Sequence, residues 1–162
     1  MADARADKGA DKGGDRVIAT NRKARHEYEI LEVSEAGMVL MGSEIKSIRG
    51  GNVSLQEAYV AIESGEAWLV NAYIAPYEWA GYAGHEARRR RKLLLHRKEI
   101  RTLHHELRAK GVTLVPLRLY LKDGRAKLEI GLARGKKLFD KRQAIRERET
   151  KRQTARELSH RR

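Results

Sequence analysis

The chain has 162 residues, no cysteine, and 35 Lys and Arg against 22 Asp and Glu, leaving a net charge of +13 and a pI near 10.2. That length holds one ordinary domain with tails, and the missing cysteines exclude disulfides, thiol catalysis and Cys-ligated metal sites. A charge of this size draws polyanions, nucleic acid ahead of anionic membrane, because no apolar run nears the roughly 18 residues of a membrane span and the basic stretches lack the bulky apolar face of an interfacial helix.

Residues 1–16 alternate Asp, Lys, Arg, Ala and Gly without an apolar stretch. They do not read as a secretory signal, and a disordered N-terminal tail is expected there. After Asn21 the sequence turns β-like: His26 to Glu35 carries Tyr28, Ile30 and Val33, Glu35-Ala36-Gly37 reads as a turn, and Met38 to Met41 as the returning strand. Ser43 opens a short helix with Ile45 and Ile48 on one face, stopped by Gly50-Gly51. Ser54-Leu55-Gln56-Glu57 has capping-box spacing and predicts one more helical turn. Tyr59 to Ile62 and Trp68 to Ala75 read as strands joined at Ser64-Gly65-Glu66, with Pro76 ending the second. A loop from Tyr77 to Arg91 precedes Leu93-Leu94-Leu95, and Ile100, Leu103 and Leu107 place a helix over Arg97 to Lys110. Thr113 to Leu121 and Lys127 to Leu132 form a last hairpin about Lys122-Asp123-Gly124. Short strands, two or three helices and no βαβ rhythm predict a mainly β fold, a small antiparallel OB-like barrel over residues 17–134.

From Gly135 the composition changes. Residues 135–162 hold eleven Lys and Arg against four Asp and Glu, a net +7, and their bulky apolar residues are only Leu138, Phe139, Ile145 and Leu158. So few cannot repay the ordering of the segment, at about 1–2 kcal/mol per residue for the backbone. Yet neither Pro nor Gly follows Gly135, and Glu147 with Lys151 and Glu157 with Arg161 are favourably spaced. The expectation is a basic tail, disordered alone and helical along a polyanionic groove.

Catalytic constellations are weak. His104-His105 lie about 100° apart on the predicted helix and cannot chelate one metal from one face, with His105 turned to solvent and His104 partly packed. Gly131-Leu132-Ala133-Arg134-Gly135-Lys136-Lys137 has three residues between its glycines, where a phosphate loop has four, and Lys137 stands in the place of the magnesium-holding hydroxyl. No carboxylate cluster or metal triad assembles, so a binding protein without catalysis, metal or cofactor is expected. The densest charge run, Arg88 to Lys92, follows an aromatic-rich stretch: Trp68, Tyr73, Tyr77, Trp79 and Tyr82 are five of the nine aromatics. Rings beside cations suit stacking on unpaired bases; Trp68 and Tyr73 read as core, and Tyr77, Trp79 and Tyr82 as the stacking candidates. Phe139, the one Phe, stands in a coreless tail and invites a stacking role.

Six segments, in order, resemble a known family. They are Asn21-Arg22-Lys23-Ala24-Arg25-His26-Glu27-Tyr28, Glu35-Ala36-Gly37, Glu44-Ile45-Lys46-Ser47-Ile48-Arg49, Arg91-Lys92-Leu93-Leu94-Leu95, Gly131 to Lys137, and Asp140-Lys141-Arg142. Together they resemble the SsrA-binding protein (small protein B) family, from about residue 17 to the C-terminus; the loop His85-Glu86-Ala87 departs from it in lacking an Asp-Pro. The resemblance implies an OB-like barrel that binds the tRNA-like domain of transfer-messenger RNA and carries it into stalled bacterial ribosomes for trans-translation. It implies cytoplasmic work beside elongation factor Tu and alanyl-tRNA synthetase on the same RNA. Asn21, Arg25, His26, Glu35 and Leu94 match positions of the RNA-facing surface, Glu35 and Leu94 as organisers of it, and Arg22, Lys23, Arg90, Arg91 and Lys92 are added as cations beside them. Gly135, Lys136 and Lys137 match the base of the tail, and Asp140, Lys141 and Arg142 the element near the decoding centre, with Phe139, Arg146, Arg148, Lys151 and Arg152 as companions in the vacant message channel. The alternative is a general OB-type RNA-binding or ribosomal protein with no tagging role.

Overall fold

The structure, a computed structural model, describes residues 14–160, and for 137–144 the backbone alone. Strand β1 (Arg16–Thr20) leads into a short helix α1 (Arg22–Glu27), and the long strand β2 (Tyr28–Met38) runs on to α2 (Gly42–Arg49). The two residues of β3 (Val53–Ser54) precede a hairpin of β4 (Tyr59–Glu63) and β5 (Glu66–Val70). After β6 (Tyr73–Ile74) comes a 3-10 segment (Glu78–Ala83), then β7 (Arg91–Leu94) and α3 (Arg97–Glu106). A second hairpin, β8 (Val112–Lys122) and β9 (Arg125–Gly135), runs directly into α4 (Lys136–His160).

The sheet closes on itself. Its strands pair antiparallel in the order β1-β8-β4-β5-β7-β2-β9, and β9 pairs again with β8, so that six of them form a barrel; β3 and β6 make a small separate ladder. Closure removes the unpaired edges that an open sheet presents. β8 has three neighbours because β4, through Val60 opposite Leu114, and β1, opposite Arg118 to Leu121, share one of its edges while β9 occupies the other. Pro116 falls between those two stretches, where the strand needs no N–H donor. Leu114, Leu119, Leu121, Leu128, Ile130 and Leu132 alternate inward and meet Val60, Leu69 and Leu93 in the core. A smaller apolar cluster lies outside the barrel wall: Ala24 of α1 packs on Val115, Leu117 and Ala133. Leu117 is the extra residue of a bulge, and at Gly131 an added Cβ would come within 3.0 Å of it.

One buried ion pair ties α2 to the barrel. Arg91, fully buried in β7, donates to the fully buried Glu44 carboxylate of α2 at 2.5 Å, to the Ala72 carbonyl at 2.6 Å, and to the Ala87 and Glu86 carbonyls. Arg89 donates to the other Glu44 oxygen, and so does the Met41 amide at 2.9 Å. Burial alone would raise the Glu44 carboxyl; the hydrogen bonds from Met41, Arg89 and Arg91 outweigh it and hold the group below its ordinary 4.5. Burial also lowers the Arg91 guanidinium, with Glu44 opposing.

The expected barrel, the α2 helix and the last hairpin are present, with Asp123 (φ +51) and Gly124 (φ +75) making the tight turn. Elsewhere the structure corrects the sequence reading. Glu35-Ala36-Gly37 is not a turn: β2 runs through it, and the glycine admits Leu94, whose Cβ would lie 3.3 Å from an added Gly37 Cβ. Residues 22–27 are helical where a strand approach was expected, because Asn21 caps them. Of the strand expected over Met38 to Met41 only Met38 is present, as the last residue of β2, because the chain then turns to α2, which Met41 caps. Ser54 ends β3, and Leu55 to Ala58 close one hydrogen-bonded turn at 3.1 Å without becoming a helix; the strand expected over Trp68 to Ala75 breaks at Asn71 (φ +63). The helix expected to reach Lys110 ends at Glu106. Of the expected N-terminal tail only residues 14–16 lie among those described, and Arg16 already opens β1.

Glu44→Gln keeps the shape and leaves Arg91 buried without a counter-charge, which is expected to destabilise the fold by about 3–5 kcal/mol in urea unfolding at neutral pH. Because the folded Glu44 pKa is depressed, its contribution is complete above the unfolded value of 4.5 and fades as pH falls through the folded value. The gap between wild type and variant should therefore narrow in acid; a gap that stays constant to pH 3 would refute the assignment.

Candidate nucleic-acid interface

Side chains along β7, β2, β9 and β8 point alternately into the core and outward, so residues opposite one another share a face. Ala36, Leu128 and Leu119 are abreast and buried. The rows on either side of them therefore point outward. One is Leu94, Gly37, Lys127 and Tyr120; the other is Glu35, Glu129 and Arg118. The sequence pointed to Glu35 and Leu94, and the structure brings them to this face with four residues it missed: Arg118, Tyr120, Lys127 and Glu129. Their signal was the polar alternation through 118, 120 and 122 and through 125, 127 and 129.

The face is internally wired. Tyr120 donates its hydroxyl to Glu35, Lys122 stands 3.9 Å from the same carboxylate, and Arg118 lies over the Tyr120 ring, 4.9 Å from its centroid, while donating to Glu129. Burial, then the Glu35 hydrogen bond and charge, push the Tyr120 phenol well above its usual value, so it stays a donor at any physiological pH. Arg25 of α1 reaches Glu129 at 3.6 Å and joins the helix to the network. Each carboxylate is thus matched by a cation, and a face that would repel phosphate presents ordered guanidinium and ammonium groups instead.

Around this face stand the exposed residues of α1: Arg22, Lys23, Arg25 and His26, with Lys23 also 3.3 Å from Glu57. Asn21 is different. It is 3 % exposed; its side-chain oxygen accepts from the Ala24 amide at 3.1 Å, and its amide donates to the Leu55 and Pro116 carbonyls at 3.2 and 2.9 Å. No donor remains for RNA, so Asn21 positions α1 and does not contact a ligand itself. Lys136, at the root of α4, donates to the Arg25 carbonyl at 3.5 Å, so the tail begins beside α1.

The cationic run is divided among partners. Arg91 is enclosed with Glu44 and cannot meet phosphate, a correction to its place among the contact residues. Arg90 pairs with Glu63 at 2.7 Å and lies over Trp68, Lys92 pairs with Glu66 at 3.0 Å, and Arg88 donates to Asn71 and covers Tyr73. The Arg90 and Lys92 pairs are solvent-exposed and weak enough to exchange for phosphate. Leu94 remains open, 54 % exposed.

Gly135 still pairs with Tyr28, and α4 begins at the next residue. Every side chain from Ile145 to His160 is exposed, including Arg146, Arg148, Lys151 and Arg152. The side chains of Lys137, Phe139, Asp140, Lys141 and Arg142 lie outside the described ones. No ion pair joins Glu147 to Lys151 among the described residues, so that expected support is absent. His104 and His105 are both exposed, where His104 was expected to pack in part, and no three His, Asp or Glu among the described residues are grouped to hold a metal. No helix of the described residues is long and apolar enough to cross a membrane.

A family model described as SmpB protein matches residues 18–160. The chain is 54 % identical over 150 residues to the SsrA-binding protein of Solidesulfovibrio magneticus, covering 93 % of this chain and 97 % of that one. It is 59 % identical to the SsrA-binding protein of Roseiflexus castenholzii, covering 92 % and 95 %. Among solved structures it is similar, at 52 % identity and a TM-score of 0.62, to a chain described under "tmRNA-SmpB: a journey to the center of the bacterial ribosome", covering 73 % of this chain and 83 % of that one.

Asn21→Ala removes the α1 cap and strands two buried carbonyls, and is expected to lower stability by about 1–3 kcal/mol. Titration with RNA should find the same maximum affinity once the folded fraction is allowed for, if α1 re-forms on the ligand. A variant as stable as wild type that binds RNA poorly would instead make Asn21 a direct contact.

Proposed function

The chain belongs to the SmpB protein family, and on that footing we propose that its barrel grips the tRNA-like domain of transfer-messenger RNA while its basic tail engages the stalled bacterial ribosome. The barrel stands in, by shape and charge, for the part of a tRNA that the tRNA-like domain lacks. Arg22, Lys23, Arg25 and His26 of α1, with Arg118, Lys122 and Lys127, meet the RNA backbone; Glu35 and Glu129 hold the cations in place, and Leu94 offers an apolar contact. Elongation factor Tu and alanyl-tRNA synthetase act on the same RNA, in the cytoplasm, and the protein's part is positioning, with no bond made or broken.

The observation that carries this reading is the exposed α4. A solitary basic helix is marginal in water, so a partner lined by phosphates both attracts and stabilises it. The vacant message channel, walled by ribosomal RNA, is such a partner, and Lys137, Phe139, Asp140, Lys141 and Arg142 lie nearest the decoding centre. Selectivity follows from occlusion: an intact message downstream leaves the tail no room.

If barrel and tail together neutralise some 6–10 phosphates, affinity for the ribosome-bound RNA should fall about 10³–10⁵-fold between 50 and 200 mM salt, and a nearly flat salt dependence would refute the estimate. Ending the chain before Lys136 should abolish peptide tagging and leave transfer-messenger RNA binding intact; parallel loss of both would show that the two parts do not divide the work. Sequencing the RNA that copurifies separates this reading from a general RNA-binding role, which predicts a mixed population in place of one species.

A further inference from the structure

Two almost fully exposed aromatic side chains take no part in the outer face or the tail. Trp79 is 83 % exposed and Tyr82 fully so, the highest values among the large hydrophobic residues described. Four other rings are covered by cations of the same chain: Trp68 by Arg90, Tyr73 by Arg88, Tyr120 by Arg118, and Tyr77 by Lys46 at 5.2 Å. Trp79 and Tyr82 have no such cover among the described residues.

The loop that displays them is braced. Ser47 donates to the Ala75 carbonyl at 2.6 Å, Ile74 to the Ala87 carbonyl at 3.0 Å, and Ala75 to Asn52 at 2.9 Å. His85, buried, bridges Ser43 at 2.8 Å and the Ile74 carbonyl at 3.0 Å, and Arg91 holds the Ala87 carbonyl from beneath. Between the two rings Gly81 sits at φ +55, ψ −128, a conformation open to glycine alone, although nothing lies within 4 Å of where a Cβ would stand. The backbone conformation, not crowding, requires the glycine.

We infer that Trp79 and Tyr82 form a stacking site for unpaired nucleobases of RNA, separate from the barrel's outer face. The inference rests on the reading of this protein as RNA-binding. Rings with open faces accept bases of any sequence, and exposed Lys46 and Arg49 of α2 supply the charge for the backbone, against Glu78 and Glu86 in the loop. An apolar protein partner fits less well, because the residues between and after the rings are Ala80, Ala83 and Gly84, with no bulky rim to exclude water around a hot spot.

The test uses the full chain, its intrinsic tryptophan emission, and a short single-stranded oligouridylate. Trp79 is one of two tryptophans, and the other, Trp68, lies half-buried beneath Arg90. Oligouridylate is expected to quench the wild type, and Trp79→Phe, which keeps a ring, should bind nearly as tightly but without the quench. Trp79→Ala should bind about 5- to 150-fold more weakly with an unchanged salt slope. Inorganic polyphosphate, which has charge but no bases, should leave the emission unmoved. The inference is overturned by equal quenching with polyphosphate, by Trp79→Ala binding like wild type, or by a shift that needs no RNA and grows with protein concentration, which would make the loop a self-association surface. If those outcomes arise while Arg118→Ala still loses the tRNA-like domain, the stacking site falls and the barrel reading stands.

Discussion

The Glu44–Arg91 pair is the constraint on which the arrangement hangs. Two charges removed from water persist only when their remaining hydrogen-bonding capacity is met, and here the Met41 amide, Arg89 and the carbonyls of Ala72, Glu86 and Ala87 meet it. Those partners come from four parts of the chain, so one ion pair fixes the seat of α2, the end of β5, the return of the aromatic loop and the register of β7. Through β7 it also fixes Leu94, which leans over Gly37 at the margin of the outer face.

On that face the same logic is applied in milder form. Glu35 and Glu129 sit where a carboxylate is unfavourable to RNA, yet Glu35 is met by Tyr120 and Lys122 of β8, and Glu129 by Arg118 of β8 and Arg25 of α1. Such pairs add little to stability in solvent, but they restrict long side chains to a few rotamers before the ligand arrives. Less freedom is then lost on binding, and the surface reads a particular backbone shape more sharply than loose lysines would. Asn21 does the equivalent for the backbone, capping α1 and locking it to two carbonyls from distant segments.

The barrel was legible because apolar alternation and turn chemistry agree in the second hairpin, where Lys122-Asp123-Gly124 forces one geometry. The region around Gly37 was misread for an equally physical reason. A glycine after an acidic residue serves a turn and a close approach alike, and only the position of Leu94 across the sheet distinguishes them. The six residues of α1 carry almost no helical periodicity, and they fold because Asn21 finds acceptors 34 and 95 residues away. Counting charge located the run Arg88 to Lys92 and could not apportion it, since a buried arginine and its exposed neighbours are identical letters until their carboxylates are placed. The resemblance supplied Glu35 and Leu94 as site residues; composition alone gives no reason to choose a carboxylate and a leucine on an RNA-facing surface.

β9 passes into α4 with no linker, Gly135 still paired in the sheet and Lys136 already helical. A helix of 25 residues rises about 37 Å, at ~1.5 Å per residue. The junction therefore behaves as the fulcrum of a lever, and a tilt of about 10° there would swing the far end by roughly 6 Å, more than the pitch of one helical turn. A small change of angle at the root is thus magnified along the arm into a large displacement of its far end.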